Sequence, residues 1–160
     1  MILVDTSVWV DHLRRGDARL VGLLESASVL MHPFVLGEIS CGSLADRSAV
    51  LSLLRDLPMS AVAEFDEALA FVERHRLWGR GMGYVDVHLL AAAALTQDTT
   101  LWTRDKRLRL ASRDLGCAFN EPDTHWRDRY ELAEYLLDFA APMSSARTVV
   151  DRSGRIRSMS

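Results

Sequence analysis

The sequence predicts an α/β fold of three layers (α/β/α), with helices covering both faces of a central, mostly parallel β-sheet. Two observations predict it. Short apolar runs stand at residues 2–4 and 29–31, and a strand-like stretch at 99–103, with the length of strands in a sheet covered on both faces. Longer stretches with apolar residues at helical spacing lie between them, and this alternation is how parallel strands are joined. At 160 residues the chain favours one domain, and a chain of that size buries about 70% of the surface it exposes when unfolded. It needs no disulfide or structural metal to stay folded.

The elements read in order as follows. Ile2-Leu3-Val4 forms a buried strand that ends at Asp5. Ser7 can cap a helix running to about Arg15, with Gly16 as its stop. Val29 to Met31 is the second strand. Pro33 suits the first turn of a helix that carries Glu38. Asp46 serves as cap for a helix with Val50, Leu53, Leu54 and Leu57 on one side. Ala61 to Ala63 reads as an edge strand. Residues 64–78 have helical periodicity, with Leu69, Val72 and Leu77 apolar and Gly79 as the stop. Gly79, Gly81 and Gly83 punctuate a loop, after which Tyr84 to Thr96 is strongly helical. Thr99 to Thr103 is a strand followed by Asp105. Residues 106–114 form a basic helix ending near Gly116, and Cys117 to Phe119 a last strand. The α/β domain thus spans 1–120. Beyond it, Trp126, Tyr130, Ala133, Leu137 and Ala140 recur at helical spacing, a helical extension over 121–142 closed by Pro142. The serine-rich stretch 143–160 reads as a disordered tail.

Composition narrows the setting. Hydrophobic residues make up 49% of the chain, a globular value. No run approaches the roughly 18 apolar residues of a membrane span. Asp5 stands where a signal peptide needs its apolar segment, so a cytoplasmic protein is expected. Cys41 and Cys117 are far apart in apolar contexts and read as two buried thiols. The net charge of −3 is not that of an obvious nucleic-acid binder, yet Lys106 is the only lysine and the arginines cluster at 14–15, 74–80 and 104–113. Coding bias gives the same enrichment, so composition alone leaves both readings open.

Four acids stand out. Asp5 and Asp105 lie just past the ends of predicted strands, where open α/β sheets bind ligands. Asp86 lies in the first turn of the alanine-rich helix, where the helix dipole tolerates an anion. Glu38 lies among Val35, Leu36 and Ile39, an apolar setting that is costly for an acid unless it is paired or binds a cation. Hard divalent cations prefer oxygen ligands. There is no C-x-x-C and no H-E-x-x-H to suggest zinc. The chemistry served best by carboxylate-held magnesium is phosphoryl transfer. On pattern alone, a catalytic metal site and four scattered surface acids remain open.

The order and context of these acids carry a resemblance. Ile2-Leu3-Val4-Asp5-Thr6-Ser7-Val8-Trp9, Pro33-Phe34-Val35-Leu36-Gly37-Glu38, Tyr84-Val85-Asp86-Val87-His88 with its alanine run, and Leu101-Trp102-Thr103-Arg104-Asp105 together resemble the PIN-domain toxins of the VapC type over residues 1 to about 119. The resemblance implies an endoribonuclease in which Asp5, Glu38, Asp86 and Asp105 form a magnesium (or manganese) site. Thr6, Ser7 and Thr103 would be hydroxyls that orient these acids. It also implies an RNA substrate, a small antitoxin partner and a homodimer. Arg104, Arg107 and Arg109, beside Asp105, are the expected contacts to RNA phosphates. The stretch from about residue 124 exceeds the usual family domain.

Other classes fit less well. The Gly79-Arg80-Gly81-Met82-Gly83 run follows a helix rather than a strand, so it reads as a flexible loop and not a nucleotide cradle. His88 points to nearly the opposite helix face from Asp86 and reads as structural. Ser7 stands where an Asp-x-Asp phosphatase needs its second acid, and no G-x-S-x-G elbow is present. The rival from another class is a non-catalytic RNA- or protein-binding module of the same fold.

Overall fold

The computed structural model describes residues 1–121, 148–150 and 156–158. The chain falls into two compact units, Met1–Trp126 and Arg127–Ser160. The first has the element order β1 (Ile2–Val4), α1 (Thr6–Arg15), α2 (Ala18–Glu25), β2 (Val29–Leu30), α3 (Pro33–Cys41), α4 (Arg47–Arg55), α5 (Phe65–His75), α6 (Tyr84–Leu95), β3 (Thr100–Trp102) and α7 (Lys106–Asp114). In the second, β4 (Thr148–Val150) and β5 (Ile156–Ser158) pair antiparallel, within the stretch read from sequence as a tail. The helical extension expected over 121–142 lies, beyond Glu121, outside the described residues.

The sheet of the first unit has the order β2-β1-β3, all parallel. Ile2 sits opposite both Val29 and Thr100, and Leu3 opposite Leu30 and Leu101. A single parallel bridge extends each edge, Met31 with Met59 on one side and Leu101 with Ala118 on the other. β1 is therefore central, and Leu3 and Val4 have no exposed surface. Helices cover it: Val8, Trp9, Leu20, Val35, Leu89, Leu90 and Leu108 are buried in the same core. Trp102 is buried in β3, and its indole Nε1 donates to the Glu121 carboxylate.

Several expectations shift by a turn or a face. α1 begins at Thr6 with Asp5, not Ser7, in the capping position, because the Ser7 hydroxyl is turned to Asp5 instead. Gly16 ends α1 at φ 73° with its N–H on the His12 carbonyl. α2 has no counterpart in the sequence reading. Asp17 announces it, accepting from the Arg19 and Leu20 amides. Asp46 precedes α4 in left-handed backbone and makes no capping bond. The strand expected at 61–63 is replaced by the Met59 bridge, two residues earlier. In α5 the buried stripe is Ala68 and Phe71, while Leu69 is exposed, and Arg76 at φ 51° ends the helix before Gly79. At 117–119 pairing reduces to the one bridge on Leu101. Cys117 is buried, but Cys41, at the end of α3, is exposed.

Two histidines are sealed into the core beside α3. His32 has no exposed surface and caps α3, its Nδ1 accepting from the Phe34 amide. The His88 ring packs edge-on against Phe34 and Tyr84. Burial first, and the neighbouring His88 second, lower the His32 pKa from 6.5 to about 4. The folded protein thus binds this proton less readily than the unfolded chain. Stability is complete above pH 6.5 and falls as pH drops toward 4, by up to about 3 kcal/mol from this group. Thermal melting between pH 7 and 4.5 should show that loss. Asparagine keeps a capping acceptor without a titratable group, so His32→Asn should melt with a flatter pH dependence. An equally steep profile would remove His32 as the cause.

Candidate metal centre

Parallel pairing sets the site. Because β1 and β3 run together in register, their carboxyl ends lie side by side, and the ladder runs one residue further, with the Asp5 amide donating to the Trp102 carbonyl at 2.9 Å. Asp5 and the Thr103-Arg104-Asp105 turn therefore leave the sheet at the same edge. Asp5 is 7% exposed. Its Oδ2 accepts from Ser7 Oγ at 2.5 Å and from Thr103 Oγ1 at 2.7 Å. A buried carboxylate needs such donors.

The other three acids reach this edge from separate helices. α3 packs on α1, and Thr6 Oγ1 donates to Glu38 Oε2 at 2.5 Å. Glu38 is exposed, which corrects the apolar setting read from sequence. Val35 and Ile39, four apart, take the buried stripe, and Glu38 falls beside it. Asp86, in the first turn of α6, accepts from the Gly83 amide at 2.7 Å through Oδ2. Asp105 caps α7: its Oδ1 accepts from the Arg107 and Leu108 amides at 2.8 and 2.9 Å, and its own amide donates to Thr103 Oγ1 at 3.0 Å.

Each carboxylate is thus fixed through one oxygen, and the other oxygen stays out of this framework. The donors are hydroxyls and amides, which orient an acid without neutralising it. Electrostatics ties the four together. The Asp86 pKa is raised, first by burial and then, against the lowering effect of the Gly83 amide, by the charges of Asp5, Asp105 and Glu38. Among the described residues no three His, Cys, Asp or Glu side chains stand close enough to grip a metal ion directly. The donor set is nevertheless all oxygen. It suits magnesium, which keeps several waters and takes only one or two carboxylates.

The three arginines beside Asp105 have internal partners. Arg104 pairs with Asp11 and Asp17. Arg107 Nη1 donates to the Gly81 carbonyl at 2.8 Å, and Arg109 Nη2 to the Arg104 carbonyl at 3.1 Å. Asp11 and Asp17 were not singled out in the sequence. The capping signal before α2 was available for Asp17, but nothing in sequence foretells that both acids face Arg104.

A family profile described as PIN domain matches residues 2–114. The chain belongs to the PIN-domain family. The relatives include ribonuclease VapC32 of Mycobacterium tuberculosis, from strain CDC 1551 / Oshkosh and from strain ATCC 25618 / H37Rv. Each is 51% identical over 121 residues, which is 76% of this chain and 98% of the relative. All four acids fall within the residues matched by the family profile. The remaining quarter of this PIN-domain chain has no counterpart in those relatives.

Burial of Asp86, with repulsion from its neighbours at this edge of the PIN domain, predicts a stability effect. A folded pKa above the unfolded value means that ionised Asp86 disfavours the fold once pH exceeds the ordinary carboxylate range. Asp86→Asn keeps an acceptor for the Gly83 amide and removes the charge. In chelator at neutral pH it should raise the melting temperature, and the gain should vanish when magnesium is added. A lower melting temperature in chelator would mean that Asp86 is held by an attraction rather than strained by its neighbours.

Proposed function

We propose that this PIN-domain protein is a metal-dependent endoribonuclease and the toxin of a toxin–antitoxin pair. The observation that carries the reading is the convergence of Asp5, Glu38, Asp86 and Asp105 on one sheet edge, each held through a single oxygen and three of them raising the pKa of the fourth. Like charges gathered this way are expensive unless a cation joins them. The likeness to proteins named ribonuclease supports the same activity here.

In this reading one or two of the four carboxylates would grip magnesium or manganese directly and the others would hold it through its waters. A divalent ion so held supplies an acidified water and neutralises charge that develops on phosphate. The chain's own residues do the rest. Ser7 and Thr103 keep the Asp5 carboxylate aimed out of the sheet edge. Thr6 holds Glu38 toward α1. The Gly83 amide and the α7 amide pair fix Asp86 and Asp105 from two helix N-termini, where anions are tolerated. Arg104, Arg107 and Arg109 place positive charge beside Asp105. Of these, the exposed Arg107 is the one proposed to touch phosphate, since its bond to Gly81 engages Nη1 alone. The substrate is RNA, met most readily in unpaired loops, and the setting is the cytoplasm. A small antitoxin would cover the acidic edge with a basic side chain, and the working form would be a homodimer. The nuclease unit is assigned to 1–120, with Glu121 completing the Trp102 environment. No helix among the described residues is long and apolar enough to cross a membrane.

Purified protein should cleave RNA in magnesium or manganese and stop in chelator. Asp5→Asn should abolish cleavage yet remain folded. Thr103→Val, which removes one donor from Asp5, should cost about 10–100-fold in metal affinity or turnover, the range for a group that orients a ligand. The assay is cleavage of a labelled RNA across a metal titration. RNA that is bound but never cut, with any divalent metal, would instead assign the fold to a non-catalytic binding module.

A further inference from the structure

Arg104 sits in the turn between Thr103 and Asp105, where sequence places a contact to substrate. Its surroundings point elsewhere, because nearly every polar group it owns is engaged inside the protein. Its amide donates to Ser7 Oγ at 3.0 Å, and its carbonyl accepts from Arg109. Its Nε lies 3.1 Å from Asp11 Oδ2 and its Nη2 2.5 Å from Asp17 Oδ2. The guanidinium carbon lies 6.0 Å from the Trp102 ring centroid, within cation–π range.

The two carboxylates that hold it are anchored in turn. Asp11 lies on α1. Asp17 caps α2 through its other oxygen, and its amide donates to His12 Nδ1 at 3.1 Å. Asp17 is thus fixed to both helices of the corner it occupies. An exposed ion pair is worth little by itself. A planar guanidinium shared by two anchored carboxylates over an aromatic ring is geometrically far more restrictive. The Ser7 hydroxyl that receives the Arg104 amide is also the one that donates to Asp5. Any slip of the 103–105 turn would therefore disturb Asp5 and Asp105 together.

We propose that Arg104 is a positioning residue, tying the turn that carries Thr103 and Asp105 to the α1–α2 corner so that Asp5 and Asp105 keep their mutual placement. This rests on the ribonuclease reading above for its kinetic consequence, but not for its structural one.

The test compares Arg104→Ala, Arg104→Lys, Asp17→Asn and Arg107→Ala in the full chain. It measures kcat and KM for RNA cleavage, the salt dependence of RNA binding, and amide hydrogen exchange in metal-free protein. Arg104→Ala should lower kcat by roughly 10–100-fold, as small misplacements of reacting groups do, with KM and the salt slope unchanged. The Asp105 amide, held by Thr103, should exchange at least about tenfold faster, while Leu3 and Leu89 keep their protection. Lysine reaches one carboxylate and not both, so Arg104→Lys should restore part of the loss. Asp17→Asn keeps the α2 cap and should repeat the Arg104→Ala pattern, whereas Arg107→Ala should weaken binding and reduce the salt slope by about 1. Three outcomes would overturn the proposal. One is a raised KM with a flattened salt slope in Arg104→Ala, which would make it a phosphate contact. Another is tighter RNA binding with full turnover in Asp17→Asn. The third is faster exchange throughout the core, which would make Arg104 a general stabiliser. If the unaltered protein cleaves no RNA, the ribonuclease reading falls; exchange at Asp105 then decides alone, and unchanged protection there rejects the positioning role.

Discussion

A carboxylate that is only 7% exposed at the end of the central strand constrains everything around it. Asp5 leaves a strand buried on both faces, so water cannot solvate it from the sheet side, and its charge must be met by donors from the protein. Ser7 and Thr103 supply them, one from the helix that follows β1 and one from the turn that follows β3. Ser7, two residues on, reaches Asp5 locally, whereas Thr103 can reach it only if β1 and β3 are parallel, adjacent and in the observed register. The next residue along, Thr6, holds Glu38. Three consecutive residues, Asp5-Thr6-Ser7, thus fix the strand register, the start of α1 and the placement of an acid from α3.

The distribution of charge follows the same division. The acids of the site are oriented by hydroxyls and amides, which leave their charge intact. The described ion pairs involve other carboxylates: Asp11 and Asp17 with Arg104, Asp11 with Arg15, and Asp114 with Arg80. Arginine therefore stiffens the frame of this edge without cancelling it. The edge remains negative and attracts a cation, and a polyanion approaches on favourable terms only once that cation has been taken up. A net charge of −3 is compatible with an RNA substrate for this reason, since the four acids a metal would mask outnumber the chain's net excess of negative charge.

The layered fold was readable because β1 and β2 are short and continuously apolar, because β3 sets Leu101 and Trp102 among β-branched threonines, and because α6 carries an unmistakable apolar run. What escaped was set by tertiary contact. α2 is eight residues long with Gly22 inside it and only Leu20 fully buried, so its periodicity is faint, and the Asp17 cap was its one local mark. Glu38 was picked out on an argument the structure corrects: its apolar neighbours in sequence turn inward while it stays exposed. The acid was legible from its place in an ordered set of motifs, not from the cost of burying it. Cys41 and Leu69 are exposed because their faces of α3 and α5 meet no neighbour among the described residues, which periodicity alone does not reveal. The carboxylate partners of Arg104, Asp17 and Asp11, lie 87 and more positions away in sequence, beyond any local signal.

The glycine run at 79–83 is a loop, as its place after a helix implies, and its contacts show what the glycines are for. Gly81 has φ +73°, and a Cβ there would lie 2.8 Å from Arg107 Nη1, so any larger residue would push the guanidinium aside. That guanidinium donates to the Gly81 carbonyl, while the Arg107 amide donates to Asp105. Two residues beyond Gly81, the Gly83 amide donates to Asp86. A connected path therefore runs from Asp105 through Arg107 and the loop to Asp86, and Arg80 paired with Asp114 fastens the same loop to α7 a second time. The distance between two acids on different helices is set by how closely this loop approaches α7. Glycine at position 81 is what permits that approach, because the positive φ there disfavours any side chain and the adjacent guanidinium leaves no width for one.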